Sequence, residues 1–235
     1  RLFVSGKVKS YDFRINEGWR FRDLERELSS NLNITFTLNL YSDQQNVRRL
    51  GVGYPFLEGV FFPDTYSFEK GTKDIEILKR SHQKMKRYLK QLERTDELDA
   101  YSSANLLTLA SLIEKETGLD EDRPLISQVF HKRIIKKMRM QTDPSVIFAL
   151  GDEFDGNLTR KHLRLDSPYN TYRRRGLPPS PIAYPSEASL SAAANPANTD
   201  YLYFVARGDG SSQFSRTLRE HNRAVRKYQL SRGKY

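Results

Sequence analysis

Cysteine is absent from the 235 residues. Disulfides, thiolate zinc sites and thiol nucleophiles are thereby excluded. The compartment stays open, because periplasmic and secreted proteins can also dispense with cysteine. Long apolar runs are missing too. No window approaches eighteen consecutive apolar residues, so no segment of this chain reads as a bilayer span. Residues 1–20 carry no signal-peptide pattern; an upstream anchor or signal is left open. The histidines His82, His131, His162 and His221 are scattered. None pairs at the helical spacing of a zinc protease, and no calcium-type carboxylate cluster occurs, so neither metal nor other cofactor is expected. A nucleophile elbow, a phosphate loop and a dinucleotide fingerprint are lacking as well. Acid–base chemistry by carboxylates remains.

Hydrophobic residues make up only 37%, which alone would permit disorder. An aromatic content of 11% argues for a folded chain, because those side chains can offset ordering entropy. Lys and Arg number 39 against 29 Asp and Glu, a net charge of +10. Such a balance suits a polyanionic neighbour: nucleic acid, anionic lipid or an acidic cell-wall polymer. The plainer reading is a solvated basic face.

Tyr11, Phe13 and Ile15 alternate with charged residues, as a half-buried strand would. Glu17-Gly18 turns the chain. Phe21, Leu24, Leu28 and Leu32 then recur at helical spacing. Ile34 to Leu40 alternates again and is ambiguous. Residues 50–72 are too rich in Gly and Pro for a helix, yet too apolar for a linker; they read as an extended, packed segment. Asp74 opens a long helix with Ile75, Leu78, His82, Met85, Leu89 and Leu92 on one stripe. His82 there reads as a satisfied core histidine. Residues 104–117 form the most apolar helix, with Gly118 as its C-cap. A further helix runs from Glu121 to Lys137, with Ile126, Val129, Phe130, Ile134 and Ile135 inward. Asp143 as N-cap with Pro144 behind it starts a short helix to Leu150. Residues 166–186, dense in proline, form a long ordered loop, usually a functional feature. A helix over Glu187–Ala194, a strand over Tyr201–Ala206, a turn, a strand near Phe214 and a closing helix from Leu218 follow. The class is α+β, a helix-rich domain with short strands. Residues 1–50 form an N-terminal strand-helix segment and residues 51–235 the main domain.

Two carboxylates are unusual in place. Glu114 and Glu116 end the most apolar helix and flank the centre of its apolar side. Burial and the helix C-terminus both raise a carboxyl pKa, which is what a general acid needs near neutral pH. Both could equally be boundary residues reaching solvent, and the helical wheel does not choose between them. Tyr169, Asn170 and Tyr172 in the loop offer aromatic faces and an amide to a sugar; a loop that merely packs is the alternative. Gln141 and Asp143 lie at the start of the short helix.

Several blocks resemble the endolytic murein transglycosylases, the MltG or YceG-like family. They are Leu57-Glu58-Gly59-Val60-Phe61-Phe62-Pro63-Asp64-Thr65-Tyr66, Ala110-Ser111-Leu112-Ile113-Glu114-Lys115-Glu116-Thr117 and Met140-Gln141-Thr142-Asp143-Pro144. Tyr169-Asn170-Thr171-Tyr172, Gly176-Leu177-Pro178-Pro179 and Ala193-Ala194-Asn195-Pro196 continue the series in the family's order. The resemblance covers roughly residues 55–230. It implies cleavage of peptidoglycan strands between N-acetylmuramic acid and N-acetylglucosamine, without added water, leaving 1,6-anhydromuramyl ends. It also implies a bacterial inner-membrane anchor outside this chain, a catalytic domain facing the periplasm or cell wall, and peptidoglycan synthases as candidate partners. Residues 10–30 resemble part of a LysM-like module. Because lytic transglycosylases place Ser or Thr after the catalytic acid, Glu116-Thr117 makes Glu116 the expected general acid and base. Gln141, Asp143, Tyr169, Asn170 and Tyr172 are then expected to bind substrate, with Glu58 and Asp64 as supporting carboxylates. The Arg173-Arg174-Arg175 run is a candidate contact for the muramyl carboxylate or stem peptide. Two other classes compete: a basic nucleic-acid-binding protein and a non-catalytic wall-binding scaffold.

Overall fold

The computed structural model describes residues 9–92 and 102–230. Strand β1 (Ser10–Ile15) pairs antiparallel with β2 (Asp64–Glu69), Phe13 lying opposite Tyr66. Alternation turns Phe13, Ile15, Tyr66 and Phe68 inward, where all are buried. Between the strands lie α1 (Phe21–Ser30) and α2 (Asp43–Leu50). Leu24 and Leu28 of α1 are buried as the stripe requires, but Leu32 is 95% exposed. The helix ends at Ser30, and the Asn31 side chain accepts from the Asn33 N–H in a turn that competes with helix. Ser42 and Gln45 cap α2 reciprocally.

The ambiguous stretch from Ile34 to Leu40 is not a strand. It makes one bridge, Thr35 to Lys73, then a 3-10 turn at Leu38–Leu40. Buried Asp74 sets that shape: its carboxylate accepts from the N–H groups of Thr37 (2.6 Å) and Leu38 (2.8 Å). The N-terminal unit is therefore strand, helix, helix, strand. Its closing strand, β2, comes from beyond residue 50, and its apolar cluster runs from Phe13 to Leu78 and takes in Tyr184.

Helix α3 (Asp74–Leu92) buries Ile75, Leu78, His82, Met85 and Leu89. His82 Nδ1 lies 3.1 Å from the Val60 carbonyl, a satisfied core histidine. The second apolar cluster is built around α4 (Ser103–Glu116), in which every residue from Leu106 to Ile113 is buried. α5 (Arg123–Ile135), α6 (Asp143–Leu150) and α7 (Glu187–Ala194) surround it. A hairpin of β3 (Tyr203–Ala206) and β4 (Ser212–Ser215) follows, then α8 (Leu218–Val225) and a π-helical turn at Arg226–Leu230. The class is α+β, rich in helix, with short antiparallel strands.

Several local expectations change. Gly118 does not cap α4; extended Thr117 does, and its Oγ1 accepts from the Leu119 N–H. Ile135 is 76% exposed rather than inward, because it is the last residue of α5. Asp143 is the first residue inside α6, not its cap. Thr142 is the cap, held by the 3.0 Å bond from its N–H to Thr171 Oγ1.

Residues 17–21 are bonded both to the end of the proline-rich loop and to the end of α4. The Gly18 N–H donates to the Tyr184 carbonyl and the Tyr184 N–H to the Trp19 carbonyl, both at 2.8 Å. Lys115, next to Glu116, donates to the Gly18 carbonyl at 3.3 Å.

Candidate active site

Apolar burial fixes α4, so its last residue, Glu116, is held at the wall of a cavity of about 480 Å³. That size lies within the roughly 300–1,000 Å³ of small-ligand pockets. Gln141, Asp143 and Tyr172 share this cavity. The Gln141–Asp143 turn and the proline-rich loop are strapped together by buried Thr171. Its Oγ1 accepts from the Thr142 N–H and lies 2.8 Å from Ser145 Oγ, while its carbonyl accepts from the Gln141 N–H at 3.3 Å. Gln141 sits at φ 55°, a left-handed conformation that costs a non-glycine residue roughly 1–2 kcal/mol. Such strain clusters at functional sites.

Tyr172 donates its hydroxyl to Asp143 Oδ1 at 2.5 Å. Burial first, and that bond second, push the Tyr172 pKa up. Glu116 is partly buried and makes no hydrogen bond among the described residues. Burial, then the negative charge of Asp143, push its pKa up to about 8; the Arg133 cation works the other way. A carboxyl in that condition holds its proton at neutral pH and can donate it.

Glu114, two residues away, has a different place. Its Oε2 accepts from the Ser186 N–H (3.0 Å), Ser186 Oγ (2.6 Å) and Ser189 Oγ (2.7 Å). It clasps α4 to the start of α7 and does not line the cavity.

Four expected site residues are not brought to this cavity. Asn170 is fully buried, and its amide donates to the Leu163 and Leu165 carbonyls, so it folds the loop. The Tyr169 hydroxyl meets Ser180 Oγ at 2.7 Å and its ring packs on Phe148 at 4.9 Å, behind α6. Glu58 accepts from the Phe21 N–H at 3.0 Å at the start of α1; burial pushes its pKa up to about 8. Asp64 opens β2 and pairs with Lys84, and the hydrogen bond from Lys84 holds its pKa down. Glu58 thus bonds to the start of α1, and Asp64 ties β2 to α3. Of the loop arginines, Arg174 pairs with Asp166 at 2.7 Å and Arg173 donates to the Arg164 carbonyl at 2.8 Å.

The cavity also contains residues that sequence patterning passed over: Arg133 of α5, Tyr203 of β3 and His221 of α8. A signal existed for Arg133. It continues the buried stripe of Ile126 and Phe130, where a cation is out of place. For Tyr203 and His221 nothing local sets them apart, since they reach the site only through the packing of β3 and α8.

The profile of the YceG-like family matches residues 1–227. A Bacillus subtilis protein named endolytic murein transglycosylase is 43% identical over 173 residues, 73% of this chain and 48% of that protein. A Streptococcus pneumoniae protein of the same name is 33% identical over 175 residues, 72% of this chain and 32% of that protein. A crystal structure of a yceG-like protein from Listeria monocytogenes superposes with a TM-score of 0.76 at 31% identity, covering 94% of this chain and 77% of that one. The chain thus spans about half the length of the first relative and about a third of the second.

Proposed function

The chain belongs to the YceG-like family, and from that premise we propose that it is the catalytic part of a peptidoglycan lytic transglycosylase. The observation that carries the reading is the place of Glu116: a carboxyl whose pKa burial pushes up to about 8, without a hydrogen-bonded partner among the described residues, at the wall of a cavity rich in polar groups. Glu116 gives its proton to the glycosidic oxygen as the bond to C1 of the muramyl sugar breaks. Positive charge develops at C1, and Asp143, held by Tyr172, faces it across the cavity. The Glu116 carboxylate then takes the proton of the C6 hydroxyl, whose oxygen bonds to C1. One carboxyl serves both steps, and an intramolecular hydroxyl replaces water through its high effective concentration. The product end is a 1,6-anhydromuramyl residue.

Asp143 favours a second reading. Glycosidases that use water need two carboxyl groups, and Asp143 lies in the same cavity as Glu116. In that reading Asp143 activates a water and the product is a reducing-end muramic acid. Mass spectrometry of digested peptidoglycan decides between the two. Anhydromuramyl ends are expected; reducing ends as the main product would make the protein a hydrolase.

The N-terminal strand-helix-helix-strand unit is proposed as a LysM-like glycan-binding module. Inner-membrane attachment, with the catalytic part facing the cell wall, and partnership with synthases are proposed on the family resemblance. No helix among the described residues is long and apolar enough to cross a membrane.

A further inference from the structure

Arg133 is the unexplained charge in this cavity. It is only 6% exposed, and burying a cation is costly unless an anion or several acceptors compensate it. Its Nε donates to the Leu202 carbonyl at 2.8 Å, and its Nη1 to the Met140 carbonyl at 2.6 Å and the Arg139 carbonyl at 3.3 Å. These carbonyls fix the guanidinium but leave its charge unmatched, since no carboxylate among the described residues forms an ion pair with it. Nη2 makes no hydrogen bond among the described residues. The centre of the Tyr203 ring lies 5.2 Å from the guanidinium carbon, and the His221 ring stacks on Tyr203 with centroids 5.3 Å apart. The head group is thus pinned through Nε and Nη1, lies beside an aromatic ring, and lines the same cavity as Glu116 with Nη2 left over.

Its charge also works against the acid. A cation near Glu116 favours the carboxylate, whereas a proton donor needs the opposite. The cation therefore needs another partner to account for its place. Arg173 and Arg174 are engaged within their own exposed loop and do not line the cavity.

We propose that Arg133 is a specificity residue that takes a carboxylate of the bound glycan strand through its free Nη2, and so sets the muramyl sugar in register with Glu116. The inference rests on the transglycosylase reading of the site. In a peptide-free strand the carboxylate is the lactyl group of the muramyl sugar. In a peptide-bearing strand that group is an amide, and the carboxylates belong to the stem. Arg rather than Lys suits the task, because Nε and Nη1 can stay on the carbonyls while Nη2 still offers donors to a carboxylate.

The test measures binding rather than cleavage. Glu116→Gln protein is titrated calorimetrically with peptide-free glycan oligomers, before and after carbodiimide amidation of their carboxylates. Amidation is expected to weaken binding roughly 10- to 100-fold, the scale of a charge-assisted hydrogen bond. Adding Arg133→Gln should weaken the acidic oligomer by a similar factor and leave the amidated one unchanged. Arg133→Lys should recover part of the loss, and melting temperatures confirm that each variant folds. A charge effect confined to peptide-bearing strands would assign the carboxylate to the stem. Equal weakening of both oligomers by Arg133→Gln, or no effect of amidation on any strand, overturns the inference and leaves Arg133 as a clasp for three carbonyls. Failure of Glu116→Gln to bind any strand, with no cleavage by the wild type, would instead sink the transglycosylase reading itself.

Discussion

Glu114 and Glu116 share a helix end, and hydrogen bonding separates them. Three donors already converge on one oxygen of Glu114, while Glu116 has burial and a nearby anion but no donor among the described residues. Glu116→Gln should abolish cleavage, by at least about 10³–10⁴-fold, because in the proposed mechanism one group serves both proton transfers. Glu114→Gln should be much milder, since the amide oxygen can still accept from Ser186 and Ser189. Loss of activity in Glu114→Gln and its survival in Glu116→Gln, at matched melting temperatures, would reverse the assignment. With the Glu116 pKa raised to about 8, kcat/KM should fall as pH rises above that value. The same shift acts on stability. Below the ordinary value of 4.5 both folded and unfolded chains hold the proton, and no penalty arises. Between 4.5 and about 8 the unfolded chain ionises while the folded one does not, so this group increasingly favours unfolding. Glu116→Gln should therefore melt higher than the wild type at pH 8 and lose that advantage near pH 4. Partly buried Glu58, also raised to about 8, has the same sign, and Glu58→Gln provides a second measurement.

Elements were legible where period and burial agreed. The stripe of α3, the apolar run of α4 and the alternation of β1 fix both their type and their inward faces. What sequence did not show is where tertiary partners intervene. Asp74 bends Leu38–Leu40 into a turn, and Asn31 ends α1 before Leu32. The site divides in the same way. Glu116, Gln141, Asp143 and Tyr172 lie on segments whose own sequence is unusual, and all reach the cavity. Asn170 carries the right chemistry, yet its side chain is spent on the loop's own carbonyls, which no spacing rule reports. Arg133, Tyr203 and His221 depend on how α5, β3 and α8 pack. A test at this scale is Gly59, where φ is 74° and an added Cβ would lie 2.3 Å from Pro181 Cβ. Gly59→Ala combines a left-handed backbone with a clash between the 57–66 segment and the loop before Tyr184. It should cost about 2 kcal/mol or more, read as a lower melting temperature. An unchanged melting temperature would mean that this contact is slack.

At the scale of the whole molecule, the +10 charge has to be assigned to a partner. A groove for single-stranded nucleic acid sets cations along the backbone path and leaves aromatic faces open for bases to stack. The Glu116 cavity does otherwise. Tyr172 is tied to Asp143, Tyr203 is engaged by both Arg133 and His221, and the Asp143 carboxylate would meet phosphates with repulsion. Many basic residues outside it are dispersed or already paired, as Lys84 is with Asp64, Lys132 with Asp200 and Arg174 with Asp166. The surplus therefore suits a diffuse attraction to an acidic wall, not a defined phosphate track. Gel shift at physiological salt should show no sub-micromolar binding to single-stranded DNA or RNA. Co-sedimentation with purified cell walls should persist at that salt and weaken gradually as salt rises, because screening acts on dispersed charges without removing the cavity contacts. Tight, steeply salt-dependent nucleic-acid binding would point to release of many counterions along one track. That result would move the partner from the wall to nucleic acid, whatever Glu116 does.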